Sequence, residues 1–151
     1  MNLEEDRFMF VYEYEAKVNG YYIPTPAKLL RKNDISSVLN GMKIAAARVE
    51  GFNYLDIFRN DEGIFGDHVD SMKDLIVVPE KKSIRLTSRL KKHIRLEDIA
   101  VFGGCGKRLE IWNPKAREEY FSNPEIWRRY DRMLGQETWE QRKRFLRPSS
   151  K

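Results

Sequence analysis

The chain has 151 residues, of which 41% are hydrophobic and 34% charged, and its formal net charge is +5. That length suffices for one good core or two small ones, and the balance excludes an intrinsically disordered polymer. No apolar run could cross a bilayer, and the acidic opening around Glu4, Glu5 and Asp6 does not read as a secretory signal.

One cysteine, Cys105, excludes an internal disulfide, and it cannot form a common zinc site with only His68 and His93. No metal, no cofactor and a cytoplasmic setting are expected. In chain order, Phe8 to Tyr14 alternate as a strand does, and Val18-Asn19-Gly20 reads as a hairpin turn into a second strand, Tyr21-Tyr22-Ile23. Pro26 to Lys32 predicts a short helix opened by proline. Asp34 and Ser36-Ser37 could cap a further turn that ends at Asn40-Gly41. Met42 to Val49 and Tyr54 to Phe58 predict two strands around Gly51.

The second half restates this order. Leu75 to Val78 predicts a strand, Pro79 to Lys82 a turn, and Ser83 to Leu86 another strand. Thr87 is placed to cap a helix carrying Leu90 and Ile94 on one face. Ile99 to Phe102 predicts a strand, the glycines from Gly103 to Gly106 a turn, and Leu109 to Trp112 the returning strand. Leu29 matches Leu90, and Tyr54-Leu55-Asp56-Ile57-Phe58 matches Arg108-Leu109-Glu110-Ile111-Trp112. A tandem duplication explains the match, and units this small must pack together to bury a core. Asn113-Pro114 and Asn123-Pro124 each start a helix, and Thr138 to Leu146 predicts a third. The aromatics Tyr120, Phe121, Trp127, Tyr130 and Trp139 are expected mostly to pack the core.

Charge is distributed unevenly. Lys81, Lys82, Arg85, Arg89, Lys91, Lys92 and Arg95 follow one another with no acid among them, and the tail from Arg128 to Arg147 is basic again. The middle carries Asp56, Asp61, Glu62, Asp67, Asp70 and Asp74. Such asymmetry predicts a polyanion partner ahead of a merely solvated face. Enzymes fare badly. Glu118 and Glu119 would diverge on a helix, Gly103 to Lys107 lacks the spacing and the hydroxyl of a phosphate-binding loop, and Arg59 to Asp70 lacks the acid pattern of an EF-hand. No nucleophile–base pair is evident, so a non-enzyme is expected.

The stretch from His93 to Glu125, with its Leu-Glu-Asp segment, glycine turn, Leu-Glu-Ile-Trp strand and Tyr-Phe helix, resembles the second half of the MraZ family. Residues 26–32 and 51–58 resemble pieces of its first half. The resemblance spans about residues 10 to 134 and implies an α+β fold of two tandem swapped-hairpin AbrB-like units packed together, with C-terminal helices. The implied organisation is a first unit at 8–58, an acidic linker at 59–74, a second unit at 75–112 and a helical extension at 113–151. It also implies a homo-oligomer, in that family a ring, that binds repeated DNA boxes as a transcriptional regulator associated with the nucleoid.

The family's DNA-reading turn, Asp-x-Lys-Gly-Arg followed by a proline, is degenerate in both copies. The first is expected at Glu15 to Asn19, where Asn19 replaces the arginine, with an insertion before Pro26. The second is expected at Pro79 to Ser83, where Ser83 replaces the arginine and Thr87 the proline. Lys17 alone carries over from that motif. Two readings follow. In one, Lys17, Asn19, Lys28, Arg31, Lys32, Lys81, Lys82 and Arg85 form the DNA-binding set, supplying phosphate contacts in place of the lost arginines. In the other, the fold persists as an oligomeric scaffold without DNA. On the first reading the turn lysines approach DNA, while Lys91 and Lys92 belong to a helix behind them.

Overall fold

The computed structural model describes residues 13–25, 39–59, 67–70, 73–105, 108–126 and 128. The helix expected from Pro26, with Lys28, Arg31 and Lys32, lies outside these residues, as do Trp127 as a side chain and the tail with Tyr130 and Trp139. Among the described residues the fold is α+β, with mostly antiparallel sheets and a few short helices.

The strands are β1 (Glu13–Lys17), β2 (Tyr22–Pro24), β3 (Lys43–Val49), β4 (Phe52–Phe58), β5 (Asp67–His68), β6 (Lys73–Asp74), β7 (Ile76–Val78), β8 (Ser83–Arg85), β9 (Ile99–Cys105) and β10 (Arg108–Trp112). The helices are α1 (Ser88–His93) and α2 (Pro114–Phe121). The larger sheet runs β1-β9-β10-β4-β3-β5, with β6 also on β3; the smaller runs β2-β8-β7. Thus β5 and β6 fall within the stretch read from sequence as a linker and are part of the sheet.

Strand exchange between the halves dominates the topology. β1 pairs with β9, and β4 pairs with β10. In the small sheet β2 pairs with β8. The registers are informative, because matched residues of the two halves stand opposite each other. Ile23 faces Ile84, and Asp56 faces Glu110 with Leu55 and Ile57 facing Ile111 and Leu109. An antiparallel pair centred on equivalent residues has local two-fold symmetry. Strands from before residue 59 thus pair with strands from after residue 75 in both sheets.

Alternation along β4 and β10 sends their side chains to two covered faces. Leu55, Ile57, Leu109 and Ile111 join Ile23, Ile84, Leu90 and Ile94 in the main core beneath the small sheet and α1. Burying one such side chain fully contributes about 1.5–3 kcal/mol. On the opposite face Tyr54, Trp112 and Tyr120 pack beside Ile126. Tyr54 stacks on Trp112 at 4.8 Å, and Trp112 on Tyr120 of α2 at 5.2 Å. Tyr120 is thus a core residue, as its spacing suggests.

Caps fix both helices. Thr87 Oγ1 accepts from the Leu90 N–H at 3.2 Å, and Asn113 Oδ1 accepts from the Lys115 N–H at 2.9 Å ahead of Pro114. One expectation fails locally: Gly103 and Gly104 are strand residues of β9, paired with β10, and not part of a turn. Gly103 is small because the Arg117 guanidinium lies where its side chain would stand, 2.9 Å from an added Cβ. His93 has a structural role, its Nε2 lying 2.8 Å from the Ala47 carbonyl oxygen.

Candidate nucleic-acid interface

Two turns flank the small sheet. The first closes between Asn19 and Tyr22, whose backbones exchange reciprocal N–H···O bonds of 2.9 Å. Gly20 takes φ +63°, which glycine adopts without a Cβ penalty, and Tyr21 beside it is 42% exposed. The second is a single 3₁₀ turn over Pro79–Lys81, ended by Lys82 in the left-handed region at φ 48°. The Lys82 N–H donates to the Pro79 carbonyl at 3.0 Å. β8 separates the turns by only three residues, roughly 10 Å of strand.

The hairpin turn read at Val18-Asn19-Gly20 is present, but the stretch matched to the family's motif does not coincide with it. Counted from the facing pair Ile23 and Ile84, residues 18–22 are equivalent to 79–83. The expected stretch, Glu15 to Asn19, is three residues too early. Lys17 is the last residue of β1, exposed and paired with Ile99, and stands before the turn. Asn19 closes the turn, and its N–H and C=O are both engaged there. The shift arises because Gly20, not Val18, supplies the positive φ that a tight connection needs.

Lys81 and Lys82 lie in the second turn and Arg85 at the end of β8, and all three are exposed. Around them lie two tyrosines that the charge pattern alone does not single out. Lys81 Nζ sits 4.0 Å from the Tyr22 ring centre, and the Arg85 guanidinium 5.9 Å from that of Tyr21. Exposed cation–π contacts are worth about 0.5–1 kcal/mol, enough to bias the long side chains toward the rings. The basic run itself contains no Phe, Tyr or Trp, and the tyrosines lie far from it in sequence, so no local signal joins them.

Lys91 belongs to α1, as expected from the sequence, and its Nζ donates to the Gly20 carbonyl at 2.7 Å and lies 5.0 Å from the Tyr21 ring centre. The helix is therefore tied to the first turn by this contact. Arg89 is the member of the basic run that an acid takes up, pairing with Asp70 at 2.9 Å. Among the described residues, no carboxylate pairs with Lys81, Lys82, Arg85, Lys91, Lys92 or Arg95. Ser83, where the resembled family has arginine, is only 3% exposed and is not available to a ligand outside.

What this arrangement can do is hold anions. It presents several cations without a carboxylate partner among the described residues, together with the exposed Tyr21, around the small sheet. No protein-family model matches this chain, and no curated protein matches it. Among the described residues, no helix is long and apolar enough to cross a membrane.

Proposed function

We propose that the protein is a DNA-binding protein that contacts the phosphate backbone through its two turns. More particularly, it acts as a divergent MraZ-like regulator, built from two AbrB-like units and working as a homo-oligomer. The observation that carries the reading is the convergence of Lys81, Arg85 and Lys91 on Tyr21 and Tyr22 at the two turns, with Lys82 exposed beside Lys81. The exchange of strands about the facing pairs Ile23–Ile84 and Asp56–Glu110 supports the tandem-unit part of it.

Sequence selection in this reading is weak. Bidentate arginine contacts to base edges discriminate between bases, and lysines meeting phosphates do not. Titration with a random-sequence duplex at two salt concentrations tests it: binding should be salt-steep, with log affinity falling by about 0.9 per log unit of salt for each phosphate engaged. Absence of binding at low salt would refute it.

A scaffold without DNA is favoured by one observation. Ile76 on β7 is 40% exposed, an apolar side chain on a strand that is at the edge of its sheet among the described residues. On that reading light scattering shows an oligomer while duplex DNA leaves the protein unaffected. A 17.9 kDa species alone at micromolar concentration would remove both oligomeric readings.

A further inference from the structure

The basic surface does not end at the turns. Between the first turn and α1 lies a shallow groove of about 450 Å³, lined by Tyr21, Ser88, Lys91, Lys92, Arg95, Leu96 and Glu97. Three cations and one acid face it. Its size falls among small-ligand pockets, but those are enclosed, whereas this groove lies open to solvent. A shallow groove lined by cations suits a ligand that lies along the surface and carries repeated charge.

We propose that this groove is a second phosphate-binding surface, over which duplex DNA continues after crossing the first turn. The inference rests on the turns being DNA-binding. Tyr21 belongs to both places: it is the exposed tip of the turn and one wall of the groove. Lys91 joins them physically, since its ammonium bonds the Gly20 carbonyl while its stem lines the groove. Turn and groove thus meet through Tyr21 and Lys91 and form one continuous surface.

Charge supply favours the same path. Duplex DNA carries a charge every 1.7 Å or so of axis, so a polycation gains by following it. Lys92 and Arg95 are exposed and have no carboxylate partner among the described residues. Arg95 is also held in place, its backbone at φ 50° and its carbonyl accepting from Asn113 Nδ2 at 2.9 Å. A fixed backbone aims its side chain consistently, which lowers the entropy lost on binding.

The experiment titrates full-length protein with a labelled random duplex across a salt series. Four proteins are compared: wild type, the groove pair Lys92→Gln with Arg95→Gln, the turn pair Lys81→Ala with Lys82→Ala, and the control pair Lys73→Ala with Lys115→Ala. Lys73 and Lys115 are exposed and line neither the turns nor this groove. The groove pair should lower affinity and flatten the log–log salt slope by roughly 0.9 for each phosphate it no longer engages. The control should leave the slope unchanged. If the groove pair behaves as the control while the turn pair weakens binding, the groove does not meet DNA and the turn reading stands alone. Equal losses from all three pairs would mean diffuse adhesion and overturn the groove. Wild type that binds no duplex overturns the turn reading and the groove with it.

Discussion

Asp56 and Glu110 stand directly opposite each other in the β4–β10 ladder, and both are buried. Like charges facing across a strand pair repel, so each acid needs its own partner. Asp56 Oδ2 lies 3.1 Å from His68 Nε2 of β5. Glu110 Oε1 accepts from Trp112 Nε1 at 2.9 Å and lies 3.7 Å from an Arg117 guanidinium nitrogen of α2. The two matched acids thus tie two different outlying elements to the centre of the sheet.

Removing one member of the Glu110–Arg117 pair should be costly, because the other is left charged in the interior. The side chains are 2% and 5% exposed. Arg117→Met is expected to destabilise the protein by about 3–5 kcal/mol. Arg117→Met combined with Glu110→Gln should cost less than the two changes separately. Chemical-denaturation midpoints of the three variants decide it, and strict additivity would deny the coupling.

Gly103→Ala probes the same site from the strand side. An added Cβ would meet two Arg117 nitrogens at 2.9 and 3.1 Å. A flexible exposed arginine would move aside cheaply. Arg117 is held instead, with its guanidinium 4.3 Å from the Phe121 ring centre and beside Glu110. A loss of about 1–3 kcal/mol is expected, as for other overpacked interiors. In an Arg117→Met background the penalty should shrink, as thermal unfolding would show.

Much of this fold can be read in the sequence, and the reason is periodicity. Leu55, Ile57, Leu109 and Ile111 alternate cleanly, Thr87 announces its helix, and Asn113-Pro114 announces the next. Asp56 and Glu110 are legible as a repeat but not as a buried facing pair. An acid between two apolar strand residues ordinarily marks a solvent face, and here α2 and β5 cover that face. Gly103 misleads for a related reason: a glycine run signals a turn, whereas the space it leaves is claimed by Arg117, distant in sequence. Lys91 and Gly20 lie 71 residues apart, so no local pattern joins them. The family's lysine places the first turn too early, because the hydrogen bonds between Asn19 and Tyr22, not the motif, set the register.

Thr87→Ala should remove the cap on α1 and cost about 1 kcal/mol. Because α1 carries Lys91 onto the first turn, a secondary loss of duplex affinity is expected beyond the stability change. Thr87→Ser keeps the capping oxygen and should restore both. A cap variant with weakened folding but wild-type affinity would show that the turn holds its shape without the helix.

Restoring the family's arginine in the second turn should not restore base reading. Ser83 is buried, and Ser83→Arg would force a guanidinium into the interior beside Ile84. A buried unpaired charge costs several kcal/mol, so destabilisation without gain in affinity is expected, even with Pro79→Asp. Tighter binding to repeated boxes by a normally stable double variant would mean that the side chain finds a way out, contrary to this geometry.

Lys82 separates stability from binding within one residue. It occupies the left-handed region at φ 48°, where a side chain with Cβ is strained by roughly 1–2 kcal/mol. Glycine removes that strain but adds freedom to the unfolded chain, so Lys82→Gly should raise stability by up to about 1 kcal/mol. The same change deletes an exposed cation at the tip of the second turn. If that turn meets phosphates, the stabler variant should bind duplex DNA more weakly, with a salt slope smaller by about 0.9. Thermal unfolding and a salt-dependent titration on one preparation make the comparison. Greater stability with unchanged affinity would take Lys82 out of the interface; lower stability would contradict the strain assigned to its backbone.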